Sequence, residues 1–120
     1  MNEVSTEVNE VADEVYADRV IRNGLVAVLY SPGYGAGWST WASEDIRKDV
    51  MFDPAIVELV EKEKWEELKA FVALKYPTLY TGGLEDLQVE WVPEGTAFRI
   101  DDYDGNESIE FRDMTEWIIA

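Results

Sequence analysis

The sequence predicts an α+β fold: a mostly antiparallel sheet, made of an N-terminal hairpin and a C-terminal meander, with two or three helices packed on one face. Hydrophobic residues alternate near the start of the chain, follow a helical period over residues 54–76, and alternate again from residue 87. The dipeptides Asn23-Gly24 and Asp104-Gly105 are typical of hairpin turns. Helices between runs of antiparallel strands are characteristic of this class, so we expect both turns in one sheet that residues 54–76 cover.

The chain has the size of one domain with a single core, since it contains 120 residues with 47% hydrophobic content. Residues 1–15 are acidic and carry four valines at helical spacing. We predict a flexible acidic tail over residues 1–15 and a single α+β domain over residues 16–120. Because the tail offers only four valines to bury, we expect its deletion to leave the fold intact.

The first predicted element is a hairpin in which Asn23-Gly24 joins residues 17–22 to residues 25–30. Asn-Gly between two β-rich segments is the strongest short-range signal for a type I′ turn. Residues 25–30, Leu-Val-Ala-Val-Leu-Tyr, are apolar on both faces. We therefore expect a central strand that is covered on both sides.

The predicted helices follow between residues 43 and 76. Ser43 can cap a short first helix with two acids in its first turn, and Asp53-Pro54 supplies a cap followed by proline at the first position of the next. The hydrophobic stripes before and after Glu63-Lys64 differ by roughly a quarter to a third of a turn, which predicts a break there. Pro77 ends the last helix.

The section after Gly82-Gly83 reads as β-structure. Hydrophobic residues alternate with polar ones in three segments, and residues 93–96 and Asp104-Gly105 separate these segments as turns. We expect a meander of three or four strands. Its alternating hydrophobic residues are Leu87, Val89, Trp91, Phe98, Ile100, Ile109 and Phe111.

The composition restricts the chemistry that the chain can perform. It contains no histidine and no cysteine, which removes the usual general base, the thiol nucleophile and the preferred ligands of zinc. The formal net charge is −16, and such a field repels nucleic acid and anionic membranes while it attracts basic surfaces. We expect no metal, no cofactor and no direct contact with nucleic acid or membrane. The alternative is that this charge only keeps the protein soluble.

The most site-like segment is residues 31–41, which we call the glycine–aromatic loop. Three glycines at alternate positions can turn the backbone sharply and expose N–H groups to an anion, while the aromatic rings offer faces for stacking. A second loop, residues 78–83, could form the facing wall of a cleft. The alternative is a structural loop whose tryptophans fill the core. The candidate ligand-binding residues are Ser31, Gly33, Tyr34, Gly35, Gly37, Trp38 and Trp41, with Arg22 and Arg47 as anion partners and Tyr80 from the second loop.

Two patterns of carboxylates are candidates for chemical sites. The acidic segment at residues 101–107 does not fit a calcium-binding loop, because Ile100 and Phe111 occupy ligand positions; a hairpin turn with solvated carboxylates fits better. Glu90 and Asp102 could pair across neighbouring strands for acid–base catalysis, which would make the protein a hydrolase. No motif marks that pair, so the sequence favours a binding protein over an enzyme.

Several segments together resemble small uncharacterised proteins of tailed phages and prophages. They are VAVLYSPGYGAGWSTW, the FDP helix start, YPTLYTGGLEDLQVEWVPEGTAFRIDDYDG and the final WIIA, and the resemblance covers residues 19–120. It carries over no catalytic residues. It implies an accessory setting in which small non-enzymatic proteins bind and neutralise host factors.

These observations lead to a ranked set of functional hypotheses. The first is a non-enzymatic phage-type inhibitor, acting in counter-defence or on a host factor in the bacterial cytoplasm, that sequesters a small anionic, nucleotide-like ligand through the glycine–aromatic loop. The alternative is an acidic nucleic-acid mimic that docks on a basic host protein. A carboxylate-based hydrolase is third. The oligomeric state is open, a homo-oligomer included.

Overall fold

The computed structural model describes residues 18–33 and 37–111. Predictions for the acidic tail, for Tyr34 and Gly35, and for the final apolar segment lie outside these residues. Two short 3₁₀ turns, Ser39–Trp41 and Leu84–Asp86, accompany the main elements. In chain order these are β1 (Ile21–Arg22), β2 (Leu25–Tyr30), α1 (Arg47–Phe52), α2 (Pro54–Glu61), α3 (Trp65–Lys75), β3 (Gln88–Pro93), β4 (Phe98–Tyr103) and β5 (Asn106–Phe111).

The α+β class is confirmed, but the described strands form two antiparallel sheets instead of one. The first has the order β1-β2-β3 and the second is the β4-β5 hairpin. β3 pairs with β2, with Val26 opposite Val92, and β4 pairs with β5. The expectation of a single sheet was wrong because alternation identifies strand residues without saying which strands pair.

The three-stranded sheet is the middle of three layers. Ala27 and Leu29 of β2 face the helices and belong to the larger hydrophobic cluster. Val26 and Val28 face the other way, into a smaller cluster with Val92 and the β4-β5 hairpin. The prediction that this strand is covered on both sides is therefore confirmed, with the helices on one face and the β4-β5 hairpin together with Phe52 of α1 on the other.

Both predicted hairpin turns are confirmed. Asn23 and Gly24 have φ of 53° and 79°, and Asp104 and Gly105 have φ of 53° and 85°. Two consecutive residues with positive φ define a type I′ turn, and Asn, Asp and Gly are the residues that tolerate this conformation.

Asp53 begins α2 as predicted. Its Oδ1 accepts hydrogen bonds from the amides of Ala55 and Ile56 at 2.9 and 3.3 Å, with proline at the first helical position. Its Oδ2 accepts from Lys75 Nζ and Tyr76 Oη at 2.9 and 2.7 Å, so one buried carboxylate joins the start of α2 to the end of α3. These bonds add to the packing of the two helices in the larger hydrophobic cluster.

The other helix predictions are confirmed, except for the position at which the first helix begins. α2 ends at Glu61 and α3 begins at Trp65, with Glu63 at φ 56° in the break. α1 begins at Arg47, and Ser43 does not cap it. The Ser43 hydroxyl donates to the Asp45 carboxylate at 2.6 Å, and this local side-chain bond replaces the cap.

Candidate functional site

Glu107 bonds to both described parts of the glycine–aromatic loop, residues 31–33 and 37–41. Its carboxylate accepts backbone hydrogen bonds from the amides of Ser31 at 2.9 Å, Trp38 at 2.6 Å and Thr40 at 3.0 Å, and a further bond from the Thr40 hydroxyl. Its own amide donates to the Ser31 carbonyl at 2.8 Å. The side chain is buried, with 1% of its surface exposed. The loop does bind an anion, and that anion is supplied by the protein itself.

Gly37 allows this close arrangement. A Cβ at this position would lie 2.6 Å from Trp41 Cδ1 and 3.0 Å from Glu107 Oε2, distances that leave no space for a side chain. The β4-β5 hairpin carries Glu107 into the loop from 67 to 76 residues away in sequence. Sequence reasoning assigned residues 101–107 to a solvated turn and missed this role. No local pattern distinguishes Glu107 from the exposed acids near it.

Trp38 is a core residue. It is fully buried in the larger hydrophobic cluster, and its indole Nε1 donates to the Val50 carbonyl at 2.7 Å. The ring therefore has no face open to a ligand. Trp38 therefore fits the alternative stated for this loop, in which its tryptophans fill the core.

Trp41 and Tyr80 bring the two predicted loops together. Their rings stack with centroids 5.5 Å apart and planes at 28°, and they are 40% and 54% exposed. Trp41 Nε1 also donates to Asp102 Oδ2 at 2.8 Å, which ties this aromatic pair to the β4-β5 hairpin. Of the predicted aromatic walls in the described residues, these two are accessible from solvent.

The predicted cationic partners lie apart from each other. Arg47 is near the end of the loop and donates to the Ala42 carbonyl at 3.0 Å. Arg22 donates twice to the carboxylate of Glu61, at 3.1 and 3.0 Å, and its guanidinium lies 5.0 Å from the ring centroid of Trp91. The described contacts of Arg22 are thus made with α2 and β3.

A cavity of about 720 Å³ lies beside β3, and we call it the acidic groove. Its walls come from the start of the glycine–aromatic loop, the junction of α2 with α3, the Leu84–Asp86 turn and β3. Two tryptophans and four carboxylates line it, and no lysine or arginine is among its described lining residues. The lining is Pro32, Gly33, Val60, Glu61, Glu63, Trp65, Glu85, Asp86, Leu87, Gln88, Val89 and Trp91.

The four carboxylates of the groove differ in their partners. Glu61 is held by Arg22, and Glu85 lies 3.2 Å from Lys69 Nζ in an exposed ion pair. Glu63 and Asp86 form no ion pair with any residue in the described part of the chain. Two carboxylates therefore face the groove without a counter-charge, next to the partly buried rings of Trp65 and Trp91.

The carboxylates predicted as an acid–base pair are not on neighbouring strands. Glu90 belongs to β3 and Asp102 to β4, which lie in different sheets. Asp102 has structural bonds, to Trp41 Nε1 and to the Gly105 amide at 2.7 Å. Within residues 18–33 and 37–111, no group of three or more acidic side chains is arranged to hold a metal ion.

Comparison of the chain with protein-family models, with curated proteins and with solved structures gives no match. The described helices include none with the length and apolar character needed to cross a membrane. The geometry of the groove and of the loop is therefore the basis for a functional proposal.

Proposed function

We propose that the protein is a non-enzymatic binding protein that holds a basic segment of a partner protein in the acidic groove. One observation carries this proposal: the groove combines two tryptophan rings with four carboxylates, of which Glu63 and Asp86 form no ion pair within the described residues. Carboxylates attract ammonium and guanidinium groups, and aromatic faces bind the same cations through the ring quadrupole. The groove thus offers both kinds of contact to one chemical class of ligand.

Arg22 shows how such a cation is bound in this protein. Its guanidinium makes two hydrogen bonds to Glu61 while it lies over the ring of Trp91. Glu63 and Trp65 offer the same two residue types farther along the groove, without a described cation between them. An arginine or lysine from a partner would repeat the contact that Arg22 makes within the chain.

The net charge of the whole chain supports the same class of partner. A protein with a charge of −16 attracts basic surfaces over distances of about a Debye length, roughly 8 Å at physiological salt. This field raises the rate of association, and the groove supplies the local contacts. Given the resemblance to phage proteins, we propose a basic host protein as the partner.

The test is calorimetric titration with octa-arginine at low and high salt. We expect binding that weakens at high salt and falls about tenfold in the double variant Glu63→Gln/Asp86→Asn. The control is Glu44→Gln/Glu94→Gln, which removes the same total charge at exposed positions outside the groove. An equal loss in both variants, or no binding at low salt, would contradict the proposal.

A second candidate follows from the aromatic pair of Trp41 and Tyr80. This pair joins the two loops that the sequence predicts as the walls of a cleft. Arg47 lies near the end of the first loop. A small anionic, nucleotide-like ligand would stack on the exposed ring of Tyr80 with its phosphate toward Arg47. Base stacking contributes about 1–3 kcal/mol, so Tyr80→Ala should abolish weak binding of mononucleotides in the same calorimeter. Titration of the unaltered protein with no heat of binding would eliminate this candidate.

A further inference from the structure

We infer that the basic segment binds as an added β-strand along the open edge of β3. This inference rests on the proposed function and specifies the conformation of the partner. β3 is an edge strand, because within the described residues it pairs with β2 alone. An unpaired edge of six residues presents backbone N–H and C=O groups that an extended peptide can bond.

The register of the sheet shows which backbone groups face this edge. The Glu94 amide donates to the Gly24 carbonyl at 2.8 Å, which continues the β2–β3 register by one position beyond the strand. In an antiparallel pair, alternate residues bond to the partner strand and the residues between them point away. The amides of Val92 and Glu90 therefore point to β2, whereas those of Val89 and Trp91 point to the open edge.

The same two residues place their side chains in the groove. Val89 and Trp91 both line the cavity and both pack against the larger hydrophobic cluster. Side chains of a strand alternate between the faces of a sheet, so every second side chain of an added strand would lie over the groove. A strand with a basic residue at every second position would place those charges on the side of Glu63 and Asp86.

Pro93 limits the length of this pairing. It follows Trp91 at the next outward-facing position and has no N–H to donate, and proline at a strand edge commonly prevents further pairing. The outward donors of β3 are then Val89 and Trp91, which match an extended segment of about five residues. We commit to this occupant: a short extended peptide with arginine or lysine at alternate positions.

Amide hydrogen exchange on the full chain tests the inference. The probe is a nonapeptide that alternates arginine with threonine, and its control has the same composition with the arginines grouped at one end. We expect the alternating peptide to slow exchange at Val89 and Trp91 by tenfold or more, and to leave the Val92 amide, which is already bonded to β2, unchanged. Methylating every backbone amide of the alternating peptide should weaken its binding at least tenfold.

The outcomes separate the inference from the function it rests on. If both peptides bind with equal affinity and exchange at Val89 and Trp91 is unchanged, strand addition is refuted while binding of a cation in the groove stands. Equal affinity of the methylated and unmethylated peptides also refutes strand addition. If none of the peptides binds, the proposed function and the inference are both refuted.

Discussion

The described parts of the glycine–aromatic loop and the acidic groove contain the same residue types, yet the carboxylate in the first is enclosed by donors and two of those in the second are not. In the loop, three backbone amides and one hydroxyl surround the carboxylate of Glu107, and Trp38 is fully buried. In the groove, Glu63 and Asp86 have no described ion partner and the tryptophans are partly exposed. Glycine, tryptophan and acid form a structural unit where donors enclose the carboxylate, and we propose that they form a binding surface where carboxylates exceed the donors.

The comparison also shows why a glycine-rich segment is ambiguous in sequence. Its backbone donors attract an anion, and the anion can come from a ligand or from a distant part of the same chain. In this protein the β4-β5 hairpin provides it. The groove that we propose for a partner would have the opposite preference, for cations.

The largest expected effect comes from removing the carboxylate that closes the loop. Glu107→Ala leaves two buried amides and one partly buried amide without their acceptor, at about 1–3 kcal/mol each, so we expect a loss of about 3 kcal/mol or more in the free energy of unfolding. Urea denaturation measures it. Glu110→Ala, an exposed position on the same strand, should cost about 0.5 kcal/mol or less. Equal stability of the two variants would show that Glu107 does not organise the loop.

Substitutions of Trp38 and Trp41 compare the stability contribution of a buried tryptophan with that of an exposed one. Trp38→Ala should lower the free energy of unfolding by about 3–5 kcal/mol, because it opens a cavity in the core and leaves the Val50 carbonyl without its donor. Trp41→Ala should cost clearly less, since its ring is 40% exposed. Thermal and urea unfolding of both variants would check the order. A smaller loss for Trp38 would contradict its assignment to the core.

We predict that a substitution in the groove changes the binding affinity independently of its effect on stability. Trp65→Ala should weaken octa-arginine binding about tenfold, which is about 1.4 kcal/mol, through loss of a cation–π surface. Trp41→Ala is the matched control because Trp41 lies outside the groove, and we expect its affinity to equal that of the unaltered protein. Calorimetry on both variants makes the comparison. A loss confined to the Trp41 variant would favour the aromatic pair as the site.

The smallest expected effect concerns Tyr76, whose hydroxyl donates to the buried Asp53. Burial, the hydrogen bond to Asp53 and the negative charge of that carboxylate raise the pKa of Tyr76 well above its ordinary value of 10.0. Above that pH the unfolded chain loses the tyrosine proton while the folded chain keeps it, so stability falls as pH rises. The slope is at most about 1.4 kcal/mol per pH unit.

Tyr76→Phe isolates this contribution. We expect the variant to be about 1 kcal/mol less stable at neutral pH, because a buried hydrogen bond is lost, and to lose less stability between pH 9 and pH 11. Urea denaturation across this range gives both quantities. Parallel pH profiles for the two proteins would contradict a shifted pKa at Tyr76.

Local features of the fold were predictable from the sequence. Asn23-Gly24, Asp104-Gly105 and the Asp53-Pro54 helix start depend on backbone conformations and hydrogen bonds that span only a few residues. The change of hydrophobic period likewise located the helices and strands. The prediction that Ser43 caps the first helix was wrong for an equally local reason, because its hydroxyl donates to the Asp45 carboxylate instead.

The sequence alone thus determined the α+β class, both hairpin turns, the helix break near Glu63 and the strong negative charge. Tertiary structure alone decided the pairing of β3 with β2, the burial of Glu107 in the loop and the position of the groove. The physical reason is distance along the chain. A turn or cap is set by neighbouring residues, whereas the acceptor for a loop amide, or the cation that neutralises an acid, comes from whichever distant segment the packing of the core brings beside it.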